Sequence, residues 1–255
     1  MKKSKPFRSG RGREARPAGH AGLWLYGLHP VKAALANQRR EVRQAVLTER
    51  AAGFIGAKLL GRVAHEIADA DAVARFLPAG AVHQGAALQV EPLPALDLEE
   101  AVRAPSGIRR IVLVLDQVTD PHNVGAILRS AAAFSVAAVI VQDRHAPPET
   151  GVLAKAASGA LDIVPYVATV NIARTLEDLG RLGFWRVALA GDGEGPIRDA
   201  APSGDVALVL GAEGQGLRRL VRERCDAGAF VPISGAMESL NVSNAAAVAL
   251  YELRR

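Results

Sequence analysis

The 255-residue sequence has one cysteine, Cys225, and only 4% aromatic residues. A single cysteine excludes an intramolecular disulfide and favours a reducing compartment. No apolar run approaches the ~20 residues that a membrane-spanning helix needs. The basic N-terminus also has no apolar segment behind it of the kind that a secretory signal carries. These absences predict a cytoplasmic protein in which Cys225 is a buried structural thiol.

Positive charge is concentrated at the N-terminus. Residues 1–20 contain seven Lys and Arg and one acid, Glu14, so this segment carries +6 against +5 for the whole chain. Such a Gly-, Pro- and Arg-rich segment has little to bury, and we therefore assign residues 1–21 to a basic disordered tail. Its charge favours binding to a polyanion such as nucleic acid, and a merely solubilising tail is the alternative.

Residues 22–95 predict a small α/β domain. It is expected to open with a short strand or turn that begins at Leu23 and is followed by a helix at 30–37. A strand at 42–48, a second helix at 53–68 and a closing strand at 87–94 are expected to follow. Its aromatic side chains are expected in the core rather than as platforms for base stacking: Trp24, Tyr26 and Phe54. The proline-rich, acidic stretch that follows predicts a linker at 96–107.

Residues 108–255 show apolar runs that alternate with helical patterns. The predicted strands are 111–116, 137–142, 163–167, 185–190, 206–211 and 229–233. The predicted helices are 122–135, 151–159, 171–182, 216–223 and about 240–254. Continuous apolar strands separated by helices predict an α/β fold with a parallel sheet and helices on both faces. Ligands of such sheets bind beyond the carboxyl ends of the strands.

The first strand of this domain runs into the stretch DPHNVGAILRSA, residues 120–131. Asp120 and Pro121 are typical of the cap and first residue of a helix. Asn123 then lies in the opening turn and Arg129 about one and a half turns further on. These two are either a helix start with a surface charge or members of a site. The small and apolar neighbours of Arg129 leave a narrow solvent face, which favours the site.

Two later strand ends carry similar chemistry. LVLGAEGQGL places Gly211 at a strand end and Glu213 among glycines, where backbone N–H groups can approach a ligand. Glu213 alone is equally typical of a helix N-terminal acid. In ESLNVSNAAAVALYE, Ser239 could cap the last helix, but the gathering of further polar residues such as Asn241 indicates something to hydrogen-bond. The glycine-rich turn after Ala190 is a weaker signal.

These three stretches, in this order, resemble the three motifs of the SpoU/TrmH branch of the SPOUT RNA methyltransferases. The likeness covers 108–255, and residues 24–95 resemble the small RNA-binding domain of that family. The resemblance implies a deep trefoil knot in the C-terminal part of the catalytic domain. It further implies ribose 2′-O-methylation of a guanosine in large-subunit (23S) ribosomal RNA, and a homodimer in which residues of one subunit complete the site of the other.

The resemblance also implies S-adenosylmethionine as the cofactor, and no metal ion or membrane partner is expected. The cofactor would be held largely by backbone groups at five positions: Ala190, Gly211, Val231, Ile233 and Leu240. Four residues would shape the catalytic pocket around Arg129: Asn123, Glu213, Ser239 and Asn241. Asn123 and Glu213 are expected to hold Arg129 in place.

The role of Arg129 at the ribose hydroxyl is open. The resemblance implies that Arg129 takes the hydroxyl proton, but a guanidinium with a pKa above ~12 is a poor base. Arg129 therefore either takes the proton, orients the oxygen beside an RNA phosphate, or shares the proton transfer with that phosphate.

Three other functions are compatible with parts of the sequence. A nucleotide-binding oxidoreductase would have the same kind of sheet, but the G-x-x-G-x-G spacing at Gly211 is not the dinucleotide fingerprint G-x-G-x-x-G. A transfer RNA methyltransferase of the same family and a non-catalytic RNA-binding protein of ribosome assembly are the other two. The presence of Asn123, Arg129 and Glu213 favours an enzyme.

Overall fold

The computed structural model describes residues 22–103, 109–235 and 237–255. The basic tail assigned to 1–21 and the end of the linker lie outside the described residues. Among the described residues, no helix has both the length and the apolar character that crossing a membrane requires. Burial raises the pKa of the Cys225 thiol to about 12, so this thiol is protonated at neutral pH.

The N-terminal unit contains a four-stranded sheet with strand order β1-β4-β2-β3. Strand β4 is antiparallel to both of its neighbours, whereas β2 and β3 are parallel. The elements of this unit are β1 Leu23–Tyr26, α1 Leu28–Ala36, β2 Val42–Leu47, α2 Glu49–Ile55, α3 Ala57–Leu60, β3 Ala64–Ile67, α4 Ala70–Ala74 and β4 Ala86–Val90.

The predicted helix at 53–68 is wrong. Gly56 adopts φ 91 and ψ 144, which no helix continues through, so α2 ends there and only the short α3 follows. The remainder forms β3, which pairs with β2. Trp24 and Tyr26 are buried as expected, but Phe54 is 40% exposed and lies beside His29 and Lys32.

The larger unit contains a seven-stranded parallel sheet with strand order β7-β6-β5-β10-β8-β11-β9. This confirms the predicted α/β fold with a parallel sheet. The elements are α5 Leu98–Ala101, β5 Ile111–Asp116, α6 Pro121–Ala133, β6 Ala138–Gln142, α7 Gly151–Ala157, a 3₁₀ turn Ala160–Asp162, β7 Tyr166–Thr169, α8 Ile172–Arg181, β8 Trp185–Leu189, β9 Gly195–Pro196, α9 Ile197–Ala200, β10 Val206–Gly211, α10 Arg219–Arg222, β11 Ala227–Phe230 and α11 Val242–Arg254.

Alternate residues of the central strand β5 face opposite sides of the sheet. Ile111, Leu113 and Leu115 belong to one buried cluster, which includes α6, α7, α9 and α11. Val112 and Val114 belong to the other, which includes α8 and α10. Successive side chains of a strand point to opposite faces of the sheet, so a strand that is apolar throughout must be covered on both faces. These helices provide that cover.

Several boundaries differ from the sequence prediction. The strand predicted at 163–167 begins only at Tyr166, after the 3₁₀ turn and Pro165. The strand predicted at 229–233 occupies 227–230 and ends before Pro232, which cannot donate to a ladder. The helix predicted at 216–223 is reduced to α10, because a tight turn occupies the residues before Arg218. Part of the predicted linker forms α5.

The two sheets share one buried apolar cluster. Leu25 and Leu88 of the N-terminal unit belong to the same cluster as Leu113 and Leu153 of the larger unit. A buried ion pair adds to this contact: Arg40, 3% exposed, bonds to Asp162 at 2.8 Å and also to Glu149. The N-terminal unit is therefore fixed against the face of the sheet that carries α6 and α7.

Candidate active site

The carboxyl ends of four neighbouring strands form one edge of the sheet, which we call the rim. It consists of the residues that directly follow β5, β10, β8 and β11, which lie in this order. Gly211 at the end of β10 pairs with Asp116 at the end of β5. The Ala190 amide donates to the Ala229 carbonyl at 2.9 Å, which joins the ends of β8 and β11. Three strand ends that the sequence singled out therefore meet along one edge.

Three side chains from the three motif stretches form a hydrogen-bonded group at the rim, which we call the polar cluster: Asn123, Glu213 and Asn241. The Asn241 amide donates to Asn123 Oδ1 at 3.0 Å and to Glu213 Oε1 at 2.6 Å. The Asn123 amide donates to the same Oε1 at 3.1 Å. The cluster joins residues that are 90 and 28 positions apart in the sequence. Glu213 and Asn241 are exposed and Asn123 is half-buried, so the group faces solvent.

Two helix starts hold the polar cluster in place. Asp120 caps α6 by accepting the His122 amide at 3.0 Å, which fixes the turn that carries Asn123. Asn241 caps α11, and its Oδ1 accepts the Ser243 amide at 2.9 Å. The Val242 amide lies 3.4 Å from Glu213 Oε1. The Glu213 carboxylate thus lies at the N-terminus of α11, where the helix dipole favours a negative charge, rather than at the start of α10.

Ser239 does not cap the last helix. Asn241 takes that place, because α11 begins at Val242 rather than near Leu240. Ser239 is exposed, two residues before the polar cluster.

Arg129 lies on a different side of α6 from Asn123. Arg129 is six positions after Asn123 in the helix, which places the two about 120° apart around the helix axis. Arg129 is exposed and makes no hydrogen bond or ion pair with any other residue that the structure describes. Within one chain, Asn123 and Glu213 bond to each other and to Asn241. That these two residues hold Arg129 in place stays a prediction.

The loop after β10 folds back tightly on itself. The Gly216 amide donates to the Ala212 carbonyl at 2.9 Å, and Gly214 and Gly216 both have positive φ. A Cβ added at Gly211 would lie 2.5 Å from Leu217 N and closer still to the Gly216 carbonyl group. Only glycine fits at position 211, so at this position the loop has backbone groups and no side chain.

We expect Gly211→Ala to lower the free energy of unfolding by about 1–3 kcal/mol, the usual cost of forcing extra atoms into a packed site. The displaced loop would also break the bonds of Glu213. Urea unfolding measures the first effect. Gly204→Ala is the matched control, because a Cβ at Gly204, just before the same strand, meets nothing within 4 Å. Equal stability of the two variants would contradict the crowding at Gly211.

The other positions expected to bind a cofactor lie along the same rim. Val231 and Ile233 follow β11, and Leu240 precedes the polar cluster. Ile233 is 42% exposed and Met237 is 66% exposed. Exposed apolar side chains such as these could contact an organic cofactor. The described residues contain no group of His, Cys, Asp or Glu that could hold a metal ion.

The sequence analysis did not predict two features of the rim. Asp116 is fully buried and accepts the Arg218 amide at 3.0 Å and its Nε at 2.8 Å, which anchors the far end of the Gly211 loop. Asp116 ends a predicted strand, but nothing in the sequence points to its partner 102 positions away. Gly193 is pressed against the Ala229 backbone, where a Cβ would not fit. Its place in a glycine-rich turn was the only available signal.

Comparisons with known proteins identify the family. The family model described as the SpoU rRNA Methylase family matches residues 110–251. The 23S rRNA (guanosine-2'-O-)-methyltransferase RlmB of Pseudomonas aeruginosa is 39% identical, over 91% of this chain and 95% of the relative. The protein of the same name from Ralstonia nicotianae is 47% identical, over 68% of this chain and 70% of the relative.

The solved structures show a similar fold. The SpoU methyltransferase AviRb from Streptomyces viridochromogenes, in complex with AdoMet, has a TM-score of 0.77 at 24% identity, over 92% of this chain and 90% of that one. The likeness therefore extends over the N-terminal unit as well as the parallel sheet. Because the family model covers more than half of the chain and a 39% identical relative aligns with nearly all of it, this protein belongs to the SpoU rRNA methylase family.

Proposed function

We propose that this protein transfers a methyl group from S-adenosylmethionine to the ribose 2′-hydroxyl of a guanosine in 23S ribosomal RNA. The observation that carries the proposal is the polar cluster, in which the three motif stretches meet beside the glycine loop of β10. The named activity of the Pseudomonas aeruginosa relative, which aligns with almost the whole chain, supplies the reaction and the RNA. A protein with this substrate works in the cytoplasm, where ribosomes are assembled.

The residues of the rim suit the cofactor. Gly211 would offer main-chain groups and Ala190 its carbonyl oxygen, because the Ala190 amide already donates to Ala229. Val231, Ile233 and Leu240 would offer apolar walls. Gly211 has no room for a side chain and Ile233 is 42% exposed, so backbone and apolar surface are both available there. When bound, S-adenosylmethionine supplies a methyl group on a sulfonium, which is a good leaving group.

The polar cluster would position the methyl-accepting ribose. Asn123 and Asn241 have amide groups, Glu213 has a carboxylate, and Ser239 lies exposed beside them, so the cluster can both donate to and accept from ribose hydroxyls. Correct orientation of a weak nucleophile is the principal contribution that a protein makes to such a displacement.

Arg129 would act on a second copy of the chain. It is exposed and is directed away from the polar cluster of its own chain by the helix geometry. We propose a homodimer in which Arg129 reaches the polar cluster of the other subunit and there binds the hydroxyl or an adjacent phosphate. The exposed apolar residues Val248 (40%) and Tyr251 (53%) on α11, which packs against α6, would contribute to the dimer interface.

We also propose that the C-terminal part of the larger unit forms a trefoil knot. Strand β11 lies beyond β8 at one side of the sheet, and the chain then returns across the rim to place α11 against α6. This course of the chain supports a knotted C-terminal segment.

The direct test is tritium-methyl transfer from labelled S-adenosylmethionine to 23S rRNA isolated without ribose methylation. We expect transfer to one guanosine, mapped by comparing ribose methylation of cellular RNA with and without the protein. If only tRNA is methylated, the substrate is tRNA rather than 23S rRNA. Tight RNA binding without methylation would indicate a non-catalytic protein of ribosome assembly.

We expect deletion of residues 1–20 to weaken RNA binding chiefly at low salt. The deletion removes seven basic residues and one acid. Each lost phosphate contact makes the slope of log affinity against log salt shallower by roughly 0.7–0.9. Fluorescence anisotropy at salt concentrations from about 50 to about 300 mM measures this slope, because phosphate contacts are screened over this range. An unchanged slope would exclude RNA contacts by the tail.

A further inference from the structure

A cleft of about 440 Å³ opens between the N-terminal sheet and the rim. It is formed by β1, by the loops that follow β5 and β6, and by the first turn of α7. Its lining includes only uncharged side chains, of which the following matter here: Trp24, Tyr26, Pro121, Pro147, Pro148 and Val152.

The cleft and the expected cofactor positions lie on opposite sides of the polar cluster. The cofactor positions follow β10, β8 and β11, whereas the cleft lies beyond β5 and β6. The polar cluster lies between them, at the ends of β5 and β10. Pro121, which lines the cleft, is only two residues before Asn123 in α6. A group held in the cleft would therefore be next to the group that the polar cluster binds.

Two walls of the cleft are in close contact, and no residue that lines the cleft is charged. A Cβ at Gly151 would lie 2.5 Å from the Trp24 carbonyl oxygen and from the Tyr26 ring, so α7 and β1 are in direct contact. Of the two acids beside the lining, Asp120 caps α6 and Glu149 is paired with Arg40. Pro148 and Val152 are exposed and Pro121 is half-buried, so they form most of the open apolar surface. Trp24 and Tyr26, 8% and 6% exposed, present only a small part of their surface. Such a cleft accepts a flat, uncharged ring.

We propose that this cleft holds one nucleobase of the RNA strand and thereby places the adjoining ribose at the polar cluster. The inference rests on the proposed function, to which it adds the substrate subsite. Proteins that recognise single-stranded RNA splay bases out and hold them against aromatic and other flat side chains, and a base is the only part of RNA that is both flat and uncharged.

The test is a double-mutant cycle between the protein and the RNA, read as Kd by fluorescence anisotropy. A fragment of 23S rRNA that binds the protein is synthesised as a set of variants, each with a single abasic residue at a different position. These RNAs are titrated against wild type and Val152→Asp. Val152 is 38% exposed and lies in the first turn of α7, where an acid is favoured, so the variant keeps its fold, which thermal unfolding checks.

We expect removal of one base to weaken binding to wild type about tenfold, the usual scale for a stacked base. Val152→Asp should weaken binding of the intact RNA by a similar factor and show no further loss with that abasic RNA. The coupled position is expected at the methylated guanosine or at an immediate neighbour. Val170→Asp is the control: Val170 is 77% exposed at the end of β7, beside α8 on the other face of the sheet, and should behave as wild type.

Additive losses at every position, or an unaffected Val152→Asp, would overturn the proposal. A loss of S-adenosylmethionine affinity in Val152→Asp would also overturn it, because the cleft would then belong to the cofactor. Methyl transfer is measured separately on the same RNA. If the wild-type protein binds this RNA but does not methylate it, the proposed function is refuted. The double-mutant cycle in Kd still shows whether the cleft holds a base, because it does not depend on methyl transfer.

Discussion

Arg129→Ala is expected to lower the rate of methyl transfer by about 10²–10⁴-fold, the usual contribution of a positioned group that assists proton transfer. The affinity for S-adenosylmethionine should stay within a few-fold, because Arg129 is not one of the rim positions expected to bind the cofactor. The stability should not change, since the side chain is exposed and bonds to no other described residue. Single-turnover methyl transfer and calorimetric titration of the cofactor measure the two effects.

Two further variants show what Arg129 does. Arg174→Ala, an exposed arginine on α8, is the matched control and should retain wild-type turnover. Arg129→Lys keeps the positive charge but loses the planar fork, so partial activity would indicate a phosphate or hydroxyl contact rather than proton removal. Unchanged turnover of Arg129→Ala would show that the reaction depends on another residue.

Mixed dimers test whether Arg129 acts across the interface. If it does, a dimer of Arg129→Ala with Glu213→Ala contains one intact site, because each subunit supplies what the other lacks. We expect two inactive proteins to regain transfer when they are unfolded together and refolded as a mixture. If each site uses residues of one chain only, the mixture stays inactive.

Arg40→Met is expected to reduce the free energy of unfolding by about 3–5 kcal/mol, because removing one partner leaves buried carboxylates without their countercharge. The Arg40 Nε donates to Asp162 at 2.8 Å, and Nη1 donates to the Glu91 carbonyl at 3.1 Å and to Glu149. The bonds to Asp162 and Glu149 join the N-terminal unit to the larger one. Urea unfolding followed by circular dichroism measures the change.

Arg43→Met is the matched control for Arg40. Arg43 lies three residues further on, is 53% exposed, and pairs with Glu41 and Glu91, both also exposed. Such surface pairs contribute roughly 0–1 kcal/mol. Similar small losses in both variants would mean that burial of the Arg40 ion pairs does not stabilise the contact between the two units.

The strands of the larger unit were predictable because local signals agreed with the fold. Residues 111–116 and 206–211 form strands at the predicted positions, since a continuous apolar run is typical of a strand buried on both faces. The helix predicted at 53–68 failed because apolar spacing suggested helix throughout, while Gly56 adopts a backbone conformation that ends one. A pattern of apolar residues cannot show which glycine will do so.

The candidate site was predictable in part for the same reason. Asn123, Glu213 and Asn241 each follow a predicted strand or open a predicted helix, so unusual polar residues at these points identified the three stretches. The burial of Asp116 and its bonds to Arg218 were not predictable, because they depend on which strands are neighbours. The orientation of Arg129 was also not predictable, because the sequence gives its spacing along α6 but not the surroundings of each helix face.

Taken alone, the amino-acid order determined the class of fold, the most informative strand ends and the family resemblance, because each depends on residue types within one short stretch. The tertiary structure decided which of these stretches meet. It joined Asn123 to Glu213 and Asn241, turned Arg129 away from them, and opened an apolar cleft beside the rim. Contacts between residues ~100 positions apart follow from strand order and helix packing, which sequence periodicity does not specify.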